Sequence, residues 1–180
     1  MLGLTVWQPW ASLIVGSPPT DGYPGAPPQK SVENRDKRPW RTAIGQRIAI
    51  HAGKHMDRDT LDTYHDIFRA EMFGPVIAPY VTPKAFPRGA IVGVAMLERA
   101  VGPLNPSIFY ETRLDDVPAA TIASWELDAD DLRWFTGPFG WVLRDCQHLA
   151  EPVACSGDRA FWTLPDDIER AVITQIARAA

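Results

Sequence analysis

Lys30, Glu33 and Arg35 place two cations and a carboxylate within a six-residue stretch. An arginine guanidinium can donate two parallel hydrogen bonds to a phosphate, and a lysine ammonium adds a point charge. A glutamate accepts hydrogen bonds from amino groups, including those on the edges of bases. This set of side chains is suited to holding a nucleotide.

The spacing of the three residues limits how they can meet. In a regular strand Glu33 and Arg35 share one face because they are two residues apart, whereas Lys30 joins them only if the chain bends. The same pattern is also typical of an ion-pair trio on a solvated surface, which contributes little stability and has no functional meaning. A nearby pair of tryptophans favours the functional interpretation.

Trp7, Gln8 and Trp10 form the second group. The two indole rings are three residues apart, so both can flank one groove and stack on unpaired bases. Gln8 carries both a donor and an acceptor and is suited to reading a base edge. Burial of both tryptophans in the core is the open alternative, because large aromatic side chains are highly buried on average.

Charge is distributed unevenly along the chain. The net charge is −4, but residues 30–58 carry +5, so the remainder carries −9. We expect the cations of this segment to contact phosphates without reading sequence. These residues are Arg38, Arg41, Arg47, Lys54 and Arg58, and Trp40 among them is either a further stacking platform or a loop anchor.

The composition is that of one globular domain. The chain has 180 residues, 46% of them hydrophobic and 22% charged, which predicts a single domain spanning 1–180. Its start lacks the features of a signal peptide, and no apolar run reaches membrane-spanning length. We therefore expect a cytoplasmic protein that has no membrane partner.

Cysteine and histidine usage predicts neither metal nor cofactor. Cys146 and Cys155 suit a reducing compartment, although one bridge between them stays open as an alternative. His51 and His55 are four residues apart, but Gly53 lies between them and no third ligand is evident.

Hydrophobic periodicity and turn residues predict the elements. We expect strands over 2–7, 45–51, 90–97, 139–143 and 152–155, and a further one at 161–162. Helices are predicted after Pro9, over 61–72, over 128–135 and after Pro165. The proline-rich stretch 17–29 is predicted to be an exposed loop inserted between two motifs, and 104–131 favours no clear structure.

Short strands interspersed with a few helices predict an α+β fold with a small curled or closed sheet. Three segments resemble the ASCH domain of the PUA-like superfamily, which implies a small β-barrel with flanking helices. The resemblance is carried by residues 4–14, 30–35 and 138–143, in which Lys30, Glu33 and Arg35 are similar to the family's Gly-x-Lys-x-x-Glu-x-Arg signature. The loop at 17–29 and the long segment 104–134 depart from the family pattern.

The resemblance implies binding of RNA, or of single-stranded or modified nucleic acid, in a positively charged groove. The predicted binding residues are Trp7, Gln8, Trp10, Lys30, Glu33, Arg35, Arg38, Arg41 and Lys54. We expect Lys30→Ala and Arg35→Ala to weaken binding strongly with little loss of stability.

Enzyme activity is the first alternative, with Lys30 and Glu33 as the catalytic residues. Some similar proteins are amidohydrolases that deacetylate a modified cytidine with this lysine and a threonine three residues later, but Glu33 stands at that place here. A metal-independent ribonuclease would need the same residues as simple binding. The other alternative is a protein-interaction module in transcription-related regulation, with an unknown protein partner.

Overall fold

The computed structural model describes residues 1–18, 25–57, 86–103 and 117–179. The predicted helix over 61–72, Arg58 and residues 104–116 of the segment 104–134 lie outside these residues. The described residues form two compact units. Unit 1 comprises Met1–Gln29, Arg47–Ala95 and Asp145–Ala180, and unit 2 comprises Lys30–Gln46 and Met96–Arg144.

Among the described residues, six strands form one mixed sheet in the order β2-β5-β4-β3-β1-β6. The strands are β1 (Leu2–Gln8), β2 (Val32–Arg35), β3 (Gln46–Met56), β4 (Ala90–Val101), β5 (Phe139–Ala154) and β6 (Phe161–Thr163). The α+β class is therefore as predicted. The predicted closure into a barrel is wrong, because β2 and β6 are the outer strands and do not pair with each other.

Four α-helices and one 3-10 helix accompany the sheet in the described part of the chain. They are α1 (Trp10–Val15), α2 (Ala119–Ser124), α3 (Ala129–Trp134), α4 (Asp166–Ala179) and a 3-10 turn at Arg41–Ala43. The side chain of Asp128 caps α3 by accepting from the backbone N–H of Asp131 at 2.8 Å. Helix α2 is a feature that the sequence pattern does not predict.

Unit 1 is built around β1, which pairs in parallel with β3 and antiparallel with β6. Its apolar core contains Ala49, Ile91, Val94, Leu149, Leu164 and Val172. Ile168 and Ile176 of α4 pack against this core, which explains the predicted apolar stripe of the last helix. Ser17 and Ala26 form an isolated bridge at the two ends of the proline-rich loop, and residues 19–24 between them lie outside the described residues.

Unit 2 is built on the antiparallel pairing of β2 with β5, in which Glu33 faces Trp141 and Arg35 faces Phe139. Its core contains Val32, Val101, Phe135 and Val142. The two strands predicted over 139–143 and 152–155 are one strand of 16 residues. The polar stretch between them lacks periodicity, but hydrogen bonding to neighbouring strands keeps it extended, and this is information that local sequence does not contain.

Candidate nucleic-acid interface

The predicted binding residues are divided between the two units. Trp7, Gln8 and Trp10 belong to unit 1, and Lys30, Glu33 and Arg35 belong to unit 2. A single groove that contains both sets remains a prediction.

The structure brings Lys30, Glu33 and Arg35 together around one carboxylate. Lys30 Nζ lies 2.7 Å from Glu33 Oε2, and Arg35 Nη2 lies 3.0 Å from Glu33 Oε1. Lys30 precedes β2, so the alternation of side chains along the strand does not decide which way it points. Its ammonium also donates to the Val32 carbonyl at 2.5 Å. Lys30 thus meets Glu33 from a position outside the strand.

The cluster is buried to different depths. Lys30 is only 4% exposed and Glu33 is also buried, whereas the Arg35 side chain is 22% exposed. Burial lowers the pKa of Lys30, and the negative charge of Glu33 opposes this effect. The trio is therefore not the solvated surface ion pair that the sequence leaves open.

This burial concerns the two residues that are predicted to bind or to act as catalytic groups. Lys30 is enclosed, and its ammonium donates to the Val32 carbonyl and to Glu33 Oε2. Glu33 engages a cation with each of its oxygens, Lys30 at Oε2 and Arg35 at Oε1. Of the three, Arg35 is the residue best placed for contact with an external ligand.

Two aromatic side chains of β5 support arginines from the basic segment. The guanidinium carbon of Arg35 lies 5.6 Å from the ring centroid of Trp141, and that of Arg38 lies 5.2 Å from the ring centroid of Phe139. Arg38 also donates to the Gly102 carbonyl at 2.5 Å. Cation–π contacts of this kind hold a guanidinium in place while it keeps its charge. Alternation of Phe139 and Trp141 along the strand is the sequence signal that could have identified them.

The chain that follows Arg35 is largely exposed to solvent. Trp40 is 54% exposed and begins the 3-10 turn at Arg41–Ala43, while the preceding Pro39 is buried. Lys37, Arg38 and Arg41 are also exposed. We call Arg35, Lys37, Arg38, Trp40 and Arg41 the basic surface of unit 2.

Of the four predicted residues in unit 1, Trp7, Trp10 and Lys54 have different degrees of exposure. Trp7 is 54% exposed. Trp10 is half-buried, and its indole N–H donates to Asp57 Oδ2 at 3.2 Å. Lys54 is exposed.

Gln8, which is predicted to read a base edge, lies in the interior of unit 1. Gln8 is fully buried, its Oε1 accepts from the Ser12 backbone N–H at 3.1 Å, and its Nε2 donates to the Pro87 carbonyl at 2.7 Å. A buried amide needs such partners, so this side chain joins the start of α1 to the segment before β4.

His51 and His55 do not share an environment. His51 is buried between the Thr5 hydroxyl, 3.2 Å from its Nδ1, and the Cys155 carbonyl, 3.3 Å from its Nε2. Burial lowers the pKa of His51. His55 is exposed and contacts Trp7, a partnership that sequence reasoning missed.

Three further features considered from the sequence are a metal site, a disulfide bridge and a membrane-spanning helix. Across the described ranges, no three His, Cys, Asp or Glu side chains converge as a metal site would require. No disulfide joins Cys146 to Cys155. No helix among the residues described is long and apolar enough to cross a membrane.

Comparisons with known proteins give matches in structure alone. No protein-family model matches the chain, and no curated protein matches it. The structure is similar to the crystal structure of ASCH from Zymomonas mobilis, with 18% sequence identity, coverage of 96% of this chain and 93% of that chain, and a TM-score of 0.47. A single-residue mutant of the same protein gives 19% identity, 96% and 94% coverage, and a TM-score of 0.47.

Proposed function

We propose that the protein binds single-stranded nucleic acid through the basic surface of unit 2. The observation that carries the proposal is the exposed indole of Trp40 among the exposed cations Lys37, Arg38 and Arg41. A single strand offers both unpaired base faces and a phosphate backbone, and this surface has a chemical partner for each.

The roles of the side chains follow from their exposure and contacts. Trp40 stacks on a base, which requires a flat apolar face open to solvent. Arg38, fixed by Phe139 and the Gly102 carbonyl, binds a phosphate together with Lys37 and Arg41. Lys30 and Glu33 have an indirect role. Glu33 forms ion pairs with both Lys30 and Arg35, and these hold Arg35 beside Trp141.

The decisive experiment is a titration of fluorescently labelled 12-nucleotide RNA and DNA, followed by fluorescence anisotropy. Trp40→Ala is expected to weaken binding about tenfold, because stacking contributes ~1–3 kcal/mol per base. Trp40→Phe keeps an aromatic face and should retain most of the affinity. The matched control is Ile173→Ala, which removes another exposed apolar side chain and should bind as the unmodified protein does.

Equal affinity of Trp40→Ala and the unmodified protein would refute the proposed surface. The same reactions are run on a denaturing gel. Strands recovered intact support a binding module, whereas shortened strands would establish a nuclease and give the alternative function precedence.

A further inference from the structure

Unit 1 exposes a second aromatic ring on an ordered strand. Trp7 is 54% exposed, although its neighbours Val6 and Gln8 in β1 are buried. The strand pairs with β3 on both sides of Trp7, at Val6 and at Gln8, so its backbone is fixed by the sheet around this ring. A large apolar ring kept at the surface by a rigid element is a site at which a planar ligand can stack.

A bulge in β3 lies directly opposite this ring. Val6 pairs with Ala52 and Gln8 pairs with Met56, so three residues of β3 oppose Trp7 alone. Gly53, the first of the three, is tightly enclosed, since a Cβ there would lie 3.2 Å from Thr5 Cγ2. Bulges redirect side chains and occur preferentially next to functional sites.

The bulge places a second ring, that of His55, against Trp7, and it also carries an exposed cation, Lys54. The rings of Trp7 and His55 have centroids 4.1 Å apart and planes tilted by 53°. Lys54, between Gly53 and His55, is exposed, and its stem passes the backbone of Gly89. Asp57, the nearby acid two residues beyond His55, accepts the indole N–H of Trp10.

We propose that Trp7, His55 and Lys54 form a nucleotide subsite in unit 1. The base stacks on the exposed face of Trp7, and the phosphate is bound by Lys54 with His55 beside it. The proposal rests on the proposed function, because it assigns the same class of ligand, a single-stranded nucleic acid, to a second surface. It adds His55 and the β3 bulge to the binding residues.

Two measurements test the subsite. In the anisotropy assay with the 12-nucleotide strand, Trp7→Ala is expected to weaken binding about tenfold and His55→Ala about threefold. Ile173→Ala, at an exposed apolar residue of the same unit, is the control and should leave the affinity unchanged.

In the second measurement, 5′-AMP is titrated against isotope-labelled protein. The Trp7 indole N–H signal, which is assigned by its loss in Trp7→Phe, should shift. Adenosine, which lacks the phosphate, should bind more weakly than 5′-AMP.

The outcomes separate this inference from the proposed function. If Trp40→Ala weakens binding and Trp7→Ala does not, the subsite is refuted while the basic surface of unit 2 stands. If Trp7→Ala weakens binding and Trp40→Ala does not, the subsite stands and the basic surface is refuted. A Trp7 signal that does not move with 5′-AMP also refutes the subsite, and this readout does not depend on how the alanine variants fold.

Discussion

Lys30 illustrates how far the environment of one residue changes its role. A solvated lysine adjacent to a glutamate would be an ordinary phosphate contact, but here the ammonium is buried against Glu33 and the Val32 carbonyl. Removing one member of a buried ion pair leaves the other charge without its partner and is costly. Glu33 keeps Arg35, which reduces this cost.

Lys30→Ala is therefore expected to lower the free energy of unfolding by about 2 kcal/mol. Lys30→Met keeps the apolar stem and removes the desolvated charge, so it should cost about 1 kcal/mol or less. Urea unfolding at pH 7 measures both values. The sequence alone predicts that Lys30→Ala leaves stability nearly unchanged, whereas the buried ion pair predicts a loss. An alanine variant as stable as the unmodified protein would contradict the prediction from the structure.

At the scale of elements, Asn34 joins β2 to the segment that links α3 to β5. Its Oδ1 accepts from the backbone N–H groups of Thr136 and Gly137, each at 2.9 Å, and its Nδ2 donates to the Trp134 carbonyl at 2.7 Å. Gly137 passes close to this side chain, since a Cβ there would lie 2.8 Å from Asn34 Cβ. One side chain thus fixes the loop before the strand that carries Phe139 and Trp141.

Asn34→Ala is expected to lower the free energy of unfolding by about 2 kcal/mol, because it leaves backbone groups without partners. Gln46→Ala removes an exposed hydrogen bond to the Thr42 carbonyl in the same unit and should change stability by less than about 0.5 kcal/mol. Urea unfolding compares the two variants. Amide hydrogen exchange at Thr136 and Gly137 should accelerate in Asn34→Ala, and unchanged exchange there would contradict this role.

At the scale of the whole molecule, the arrangement of charge matters more than its total. The chain is acidic, with a net charge of −4, yet residues 30–58 carry +5. Association with a polyanion through such a segment releases counterions, so affinity must fall as salt rises. A surface of four cations, Arg35, Lys37, Arg38 and Arg41, sets the size of this effect.

The logarithm of the binding constant should fall with the logarithm of salt concentration with a slope of about −3, because each contacted phosphate on a single strand contributes roughly −0.7. Arg38→Gln should reduce the magnitude of that slope by about 0.7. Arg178→Gln, at an exposed position of α4, should leave it unchanged. Anisotropy titrations at several salt concentrations measure the slope, and a value near zero would contradict binding through phosphates.

The sequence by itself determined the elements that depend on local chemistry. Periodicity and turn residues predict strand β1, the start of α1 after Pro9, the short helix α3 and the last helix α4. The convergence of Glu33 and Arg35 also follows, because a strand alternates its side chains with a period of two.

Only the tertiary structure decided which polar groups are accessible and which strands pair. Lys30 and Gln8 look like surface ligands in sequence and are buried in the fold, whereas Trp7 and Trp40 remain exposed. The pairing of His55 with Trp7 and the open edges of the sheet likewise depend on contacts between distant segments. Local sequence encodes propensity and periodicity, but burial and register are set by what packs against each residue from elsewhere in the chain.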